Sequence, residues 1–209
     1  KQTAVNSGKN FWMSEVDNGN LAGTNAKNMG AGLSLAVNIL EDMNSMQPSA
    51  WVMWDILDKH KDAEFVAPNG TNSEANTSNA QHIGTWGVGM VNHDTKEIEL
   101  TQKYYVYGQF TKYINPGDTI IASSPTTLAA YNKDTGAIKI VAVNTTGDTQ
   151  NYRFDLSAFS QTGTSAKIIR TSGSFTDGEH WKDVGTAEVK DGKFRFDLPA
   201  NSVTTFVID

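Results

Sequence analysis

Phe11-Trp12-Met13-Ser14-Glu15-Val16-Asp17-Asn18-Gly19 and Ala50-Trp51-Val52-Met53-Trp54 are the two stretches on which the fold turns. The first is a short apolar run that ends on a carboxylate and breaks into a Gly/Asn-rich loop. Ionised groups are normally kept away from the mouths of buried strands, so Glu15 calls for a reason. The second run is apolar on both parities, the pattern of a strand buried on both faces. Between them Met29, Leu33, Val37, Leu40 and Met43 recur at helical spacing, Ala36 and Ile39 widen the apolar face, and Pro48 stops it. A helix is therefore expected over about 26–46. Strand, helix and strand in this order form a right-handed parallel βαβ unit.

Downstream the pattern loosens. Residues 58–97 are rich in Asn, Ser and Gly and read as a long loop holding His82 and Trp86. Thr101 then reads as the N-cap of a helix over about 102–114, ended by Asn115-Pro116-Gly117. From residue 118 short alternating segments take over, at 119–122, 128–132, 138–144, 152–156, 166–171, 186–190, 193–198 and 202–208. Turn signals separate them, and Asp191-Gly192 is the strongest hairpin signal. The spacing predicts an antiparallel β-sandwich of about eight strands. The domain boundary is expected near Gly117, giving units 1–117 and 118–209.

Composition narrows the function classes. The 209 residues carry a formal net charge of −6 with no basic patch, which argues against nucleic acid and anionic membrane as partners. No apolar run reaches bilayer length. The absence of cysteine excludes disulfides, thiolate metal sites and Cys nucleophiles. His60, His82, His93 and His180 fall in no metal spacing, Gly87-Val88-Gly89 is too short for a nucleotide loop, and no Ser/His/Asp arrangement is visible. No cofactor or metal is expected. Abundant Asn and Thr with only 19% charged residues suit a secreted, extracellular protein. Sequons stand at Asn69, Asn76 and Asn144.

Three segments together carry a resemblance. Trp12-Met13-Ser14-Glu15 resembles the nucleophile strand of retaining glycosidases of glycoside hydrolase family 30. Lys103-Tyr104-Tyr105-Val106-Tyr107-Gly108-Gln109-Phe110-Thr111-Lys112-Tyr113-Ile114-Asn115-Pro116-Gly117 resembles that family's final barrel helix and its exit into a side domain. Leu198-Pro199-Ala200-Asn201-Ser202-Val203-Thr204-Thr205-Phe206 resembles its closing strand. Their order and spacing fit over nearly the whole chain, and the branch cleaving β-1,6-galactan is the most similar. The resemblance implies a TIM (β/α)8 barrel followed by an antiparallel β-sandwich side domain. Residues 1–117 would supply its last βαβα part: strand seven, helix seven, strand eight, a long loop and helix eight.

It also implies site roles. Glu15 would be the nucleophile of a retaining glycoside hydrolase. Trp54 would floor the reacting sugar's subsite, Trp86 would meet a more distant sugar, and Asp55 and Asp17 would hydrogen-bond sugar hydroxyls. The Trp54–Asp55 bond is expected to be cis. Position 55 is Asp where the family pattern suggests Gln, and position 16 is Val where an aromatic is common. By strand alternation Phe11, Met13 and Glu15 share a face, that of the barrel interior. The partners implied are a galactan or related β-glycan and the N-terminal barrel segment that carries strands one to six and the acid/base. Without that acid/base the 209 residues alone are expected to be inactive. Plainer readings stand beside these: core packing for Trp12 and Trp51, a loop anchor for Trp86, loop solvation for Asp17, and core filling for Tyr131, Phe154, Phe159, Phe175 and Trp181. The alternative function is a non-catalytic carbohydrate-binding or structural fragment.

Overall fold

The first apolar run forms β1 (Trp12–Asp17) and the second forms β2 (Ala50–Trp54), paired in parallel. Ser49 pins the start of the pair, its backbone N–H and hydroxyl both donating to the Phe11 carbonyl at 3.0 and 3.1 Å. The computed structural model describes residues 1–17, 28–59, 87–91 and 95–209. Trp86 and His82 lie outside these residues, as do Asn69 and Asn76. Two units emerge, Lys1–Tyr104 and Tyr105–Asp209.

In the first unit a short helix, α1 (Gln2–Asn6), stands where only a polar lead-in was expected. The connecting helix is α2 (Met29–Glu41), which continues into a π-helical turn over Asp42–Met46. Met29, Leu33, Ala36, Ile39 and Leu40 are buried along α2, as the periodicity predicted, whereas Val37 and Met43 are only half-buried. The wider π turn rotates Met43 off the α-helical stripe. Gln47 then adopts a left-handed φ of 53° and closes the helix before Pro48. In and at the borders of the stretch expected to be a long loop stand three short strands, β3 (Leu57–Lys59), β4 (Gly89–Val91) and β5 (Ile98–Leu100), hydrogen-bonded in that order. Thr101 does not cap with its side chain. Its hydroxyl and N–H both donate to the Val88 carbonyl, at 2.8 and 3.0 Å, and so tie β4 to the helix start.

That helix, α3 (Gln102–Thr111), is three residues shorter than expected, and the division between the two units falls along its sequence. In the second unit six strands form one antiparallel sheet: β6 (Thr119–Ile121), β7 (Thr127–Tyr131), β8 (Ile138–Asn144), β10 (Ser165–Ser172), β11 (Glu179–Glu188) and β13 (Ser202–Ile208). Their order is β11-β10-β13-β8-β7-β6. A second sheet pairs β9 (Gln150–Asp155) with β12 (Lys193–Leu198). Phe154, Phe194 and Phe206 stack between them, with ring centroids 4.5–5.3 Å apart, in a core with Ile140, Ile168, Leu198 and Ile208. Tyr131 and Phe159 pack against this core, as the core-filling reading requires. The Asn144 sequon is no acceptor: its side-chain amide is buried and donates to the carbonyls of Asp148, Leu198 and Pro199.

Asp191-Gly192 makes the expected two-residue turn, with φ of 52° and 70° and reciprocal bonds between Lys190 and Lys193. Its flanking strands separate at once, however: β11 stays in the large sheet and β12 crosses to β9. A tight turn thus serves as a sheet-switching corner rather than as the start of a ladder.

The Tyr105–Thr111 part of α3 is bonded to the large sheet by a buried polar group. Gln109 Nε2 donates to Thr171 Oγ1 at 2.8 Å, and the Thr205 hydroxyl sits 2.6 Å from Gln109 Oε1 and 2.9 Å from its carbonyl. Trp181 Nε1 donates to the Tyr105 carbonyl at 2.6 Å, and His180 stacks on the Tyr105 ring at 3.9 Å. A Cβ on Gly108 would stand 2.1 Å from the Trp181 ring. Gly108→Val should therefore lower stability by about 1–3 kcal/mol through overpacking, read as a shift of the urea midpoint at unchanged slope.

On the sheet's edge Arg170 holds Glu179 through both nitrogens of one side of its fork, and Ser172 Oγ and Lys182 Nζ add contacts at 2.8 and 3.0 Å. The Arg170 hydrogen bond above all lowers the Glu179 pKa from 4.5 to about 2. A carboxylate depressed by folding stabilises the native state fully above its unfolded pKa and loses that contribution as pH falls through the folded value. Acid titration from pH 4.5 to about 2 should cost on the order of 1 kcal/mol at this partly solvated site. Glu179→Gln should remove that part of the pH dependence of the urea midpoint.

Candidate active site

The C-terminal ends of two neighbouring parallel strands bring the candidate residues together. The register pairs Trp12 with Ala50 and Met13 with Trp51, then Val16 with Met53 and Asp17 with Trp54. Two residues of β1, Ser14 and Glu15, therefore oppose one residue of β2, Val52. This is a β-bulge, a device that re-aims a side chain.

The bulge has a physical reason. Met13 and Val16 are three apart, and strict alternation sends them to opposite faces. With one extra residue between them, both join Trp51 and Met53 on the same face, where Met53 is buried and the other three are half-buried. Trp51 also donates its indole N–H to Asp42 Oδ2 at 2.8 Å, anchoring that face to the π turn. The other face carries Trp12, Val52 and Trp54, which are 65%, 44% and 52% exposed. Glu15 is exposed and stands opposite Val52 on this open side. The expected grouping of Phe11, Met13 and Glu15 on one face is corrected accordingly, because the bulge resets the alternation after Met13. Trp12, read as core packing, lies on the uncovered face of these 209 residues.

Trp54 ends β2 on the side that Glu15 shares. The peptide bond from Trp54 to Asp55 is cis, as the resemblance implied. Asp55 is half-buried with its Oδ1 withdrawn from solvent. Asp17 is the register partner of Trp54, so all four positions cluster at one end of the strand pair. Trp86 lies outside the described residues. The bulge itself was missed by sequence reading. Its signal was available, since Trp12-Met13-Ser14-Glu15-Val16 cannot place both Met13 and Val16 inward without one.

The strand pair is covered on one face and open on the other, which separates the two tryptophans of β2 energetically. Trp54→Ala should change stability by less than about 1 kcal/mol, whereas Trp51→Ala should cost roughly 2–3 kcal/mol by removing packing and stranding Asp42. Urea unfolding of the two variants compares them directly.

No family profile matches the sequence. The chain is similar to an endo-β-1,6-galactanase of Hypocrea rufa, 24% identical over 208 residues that cover 98% of this chain and 36% of that protein. Among solved structures it is similar to a glycoside hydrolase family 30 subfamily 8 xylanase from Clostridium acetobutylicum, with a TM-score of 0.69 and 25% identity over 100% of this chain and 45% of the other. A family 30 endoxylanase from Clostridium papyrosolvens C71 shares the fold, with a TM-score of 0.65 and 20% identity over 98% of this chain and 43% of that one. The chain thus spans less than half the length of these relatives, and it matches their C-terminal portion.

Proposed function

We infer that this chain is the C-terminal portion of a retaining glycoside hydrolase of family 30, acting on a polysaccharide in the manner of an endo-β-1,6-galactanase. On this reading β1, α2, β2 and α3 are strand seven, helix seven, strand eight and helix eight of a (β/α)8 barrel over 1–117, and residues 118–209 are its sandwich side domain. The observation that carries the reading is the bulge, which places Glu15 on the open face with Trp54, at the strand ends where barrel enzymes keep their sites.

The chemistry follows from a carboxylate in that position. Glu15 attacks the anomeric carbon as the leaving oxygen is protonated by a second carboxyl group about 5–5.5 Å away. The glycosyl–Glu15 ester then yields to water, activated by the same second group, and configuration is retained. The Trp54 ring offers the apolar face on which a sugar ring stacks, while Asp55 and Asp17 bind its hydroxyls. Trp86 extends the binding to a further sugar. The acid/base and the remaining barrel strands belong to an N-terminal segment outside these 209 residues. That segment covers Trp12, Val52 and Trp54, because parallel strands are buried on both faces. A polysaccharide too large to enter a cell calls for secretion.

Glu15→Gln in the protein joined to its upstream barrel segment should lower turnover of β-1,6-galactan by at least about 10³-fold while leaving its unfolding midpoint unchanged. A 2-deoxy-2-fluoro-glycosyl fluoride should leave a covalent sugar on the peptide holding Glu15, found by mass spectrometry. Labelling of another carboxylate, or full activity of the variant, would sink the assignment.

A further inference from the structure

The two-stranded sheet of the sandwich holds a second arrangement that the catalytic reading leaves unused. The sequence contains three arginines, Arg153, Arg170 and Arg195. Arg170 is paired with Glu179. The other two stand directly opposite one another across β9 and β12, in the middle of the pair's outer face.

The placement is built by a repeated motif. Tyr152-Arg153-Phe154-Asp155-Leu156 and Phe194-Arg195-Phe196-Asp197-Leu198 run antiparallel, with Phe154 facing Phe194 and Tyr152 facing Phe196. Phe154 and Phe194 are buried in the core, and alternation sends the arginines and aspartates outward. The rows on either side of the arginines are complementary. Lys193 Nζ lies 3.2 Å from Asp155 Oδ2, and Asn151 Nδ2 donates to Asp197 Oδ1 at 2.7 Å. Asp155 also accepts from the Ser157 hydroxyl at 2.5 Å and from its N–H at 3.0 Å. The carboxylates of this face are therefore engaged elsewhere, and among the described residues neither the Arg153 nor the Arg195 guanidinium has an ion pair or hydrogen bond.

Like charges directly opposite each other in a sheet repel, with Cβ atoms about 5 Å apart. In a chain with net charge −6, carboxylate partners are plentiful, yet this pair has none among the described residues. Arg153, Phe154, Asp155, Lys193, Phe194 and Arg195 line an open hollow of about 320 Å³ over the strands. Two planar forks facing one hollow suit a carboxylate, which accepts paired N–H bonds from guanidinium. The flanking Asp155, Asp197 and Asn151 add acceptors and a donor of the kind that sugar hydroxyls use. They also break up the continuous positive field that nucleic acid or an anionic membrane requires.

We propose that the outer face of the β9–β12 pair is a binding site for the carboxylate groups of an acidic, uronate-bearing glycan, with Arg153 and Arg195 as its two cations. The choice of a glycan rests on the carbohydrate reading of Glu15 and Trp54, but the site lies in the sandwich and acts in binding only. It would hold the protein on the acidic parts of a substrate that the barrel cleaves.

Native electrophoresis of the whole protein through gels containing polygalacturonate, fully methyl-esterified pectin or duplex DNA tests this. Polygalacturonate should retard the protein, and the other two should not. Arg153→Gln and Arg195→Gln should each weaken the retardation at least tenfold in apparent dissociation constant, and the double variant should abolish it. The unfolding midpoint of each should stay unchanged or rise, because a repulsive pair is removed. Glu15→Gln should be retarded like the parent, and the double arginine variant should cleave neutral galactan like the parent, so failure of either reading leaves the other's readout intact. No retardation by polygalacturonate, equal retardation of the double variant, or retardation as strong by DNA or esterified pectin would overturn the proposal.

Discussion

A parallel strand pair must divide its apolar side chains between two faces, and the organisation of β1 and β2 depends on how that division is made. Strict alternation would split Met13 from Val16 and leave neither face adequately covered. One extra residue in β1 puts both on the side of Trp51 and Met53, and the same shift turns Glu15 to the side of Val52. Burial and chemistry are thus coupled through a single backbone irregularity. The covered face is tied down by Trp51 and Asp42, while the open face keeps Trp12, Val52 and Trp54 in contact with water. That open face carries Glu15 along with Trp12 and Trp54.

The second unit solves a different problem. A two-stranded sheet is too small to bury a core alone. Here β9 and β12 lay Phe154 and Phe194 against Phe206 of the six-stranded sheet, and the stacked rings fill the space between layers. The polar contacts of Gln109 with Thr171 and Thr205 are satisfied within the buried layer, so they add direction rather than an unpaired cost. Trp181 reaches its place with a left-handed φ of 51°, which its indole bond to Tyr105 and its packing over Gly108 accompany. The outer face of β9 and β12 is then free to carry charge, and its repeated Arg-Phe-Asp pattern places like charges together where a purely structural face would alternate them.

Much of this was legible along the chain because it depends on local periodicity. The runs that became β2, β8, β12 and β13 are each bounded by turn residues, and their limits were read correctly. The helical stripe from Met29 to Leu40 repeats at the helical period, and the Asp191-Gly192 turn has residues that tolerate positive φ. Local signals end where a neighbour chooses the outcome. β11 runs ten residues, Glu179–Glu188, because β10 offers a full-length edge, although its own sequence marked only its last part as a strand. β12 leaves its hairpin partner because Phe194 and Leu198 have a core to enter beside β9.

The sequence by itself determined the two apolar strand runs, the helix between them and the antiparallel texture after residue 118, since side-chain type and short-range spacing decide these, and its family resemblance singled out Glu15, Trp54, Asp55 and Asp17 as candidates. Only the tertiary structure decided which way Glu15 faces, because a bulge is defined by the partner strand's register and not by the strand that carries it. It alone decided that Trp12 lies uncovered and that Trp51 is anchored, because both are apolar letters of one pattern until a layer is, or is not, placed over them. It alone brought Arg153 and Arg195 together across 42 positions of chain, because two residues become neighbours in a sheet through pairing, which no single strand records.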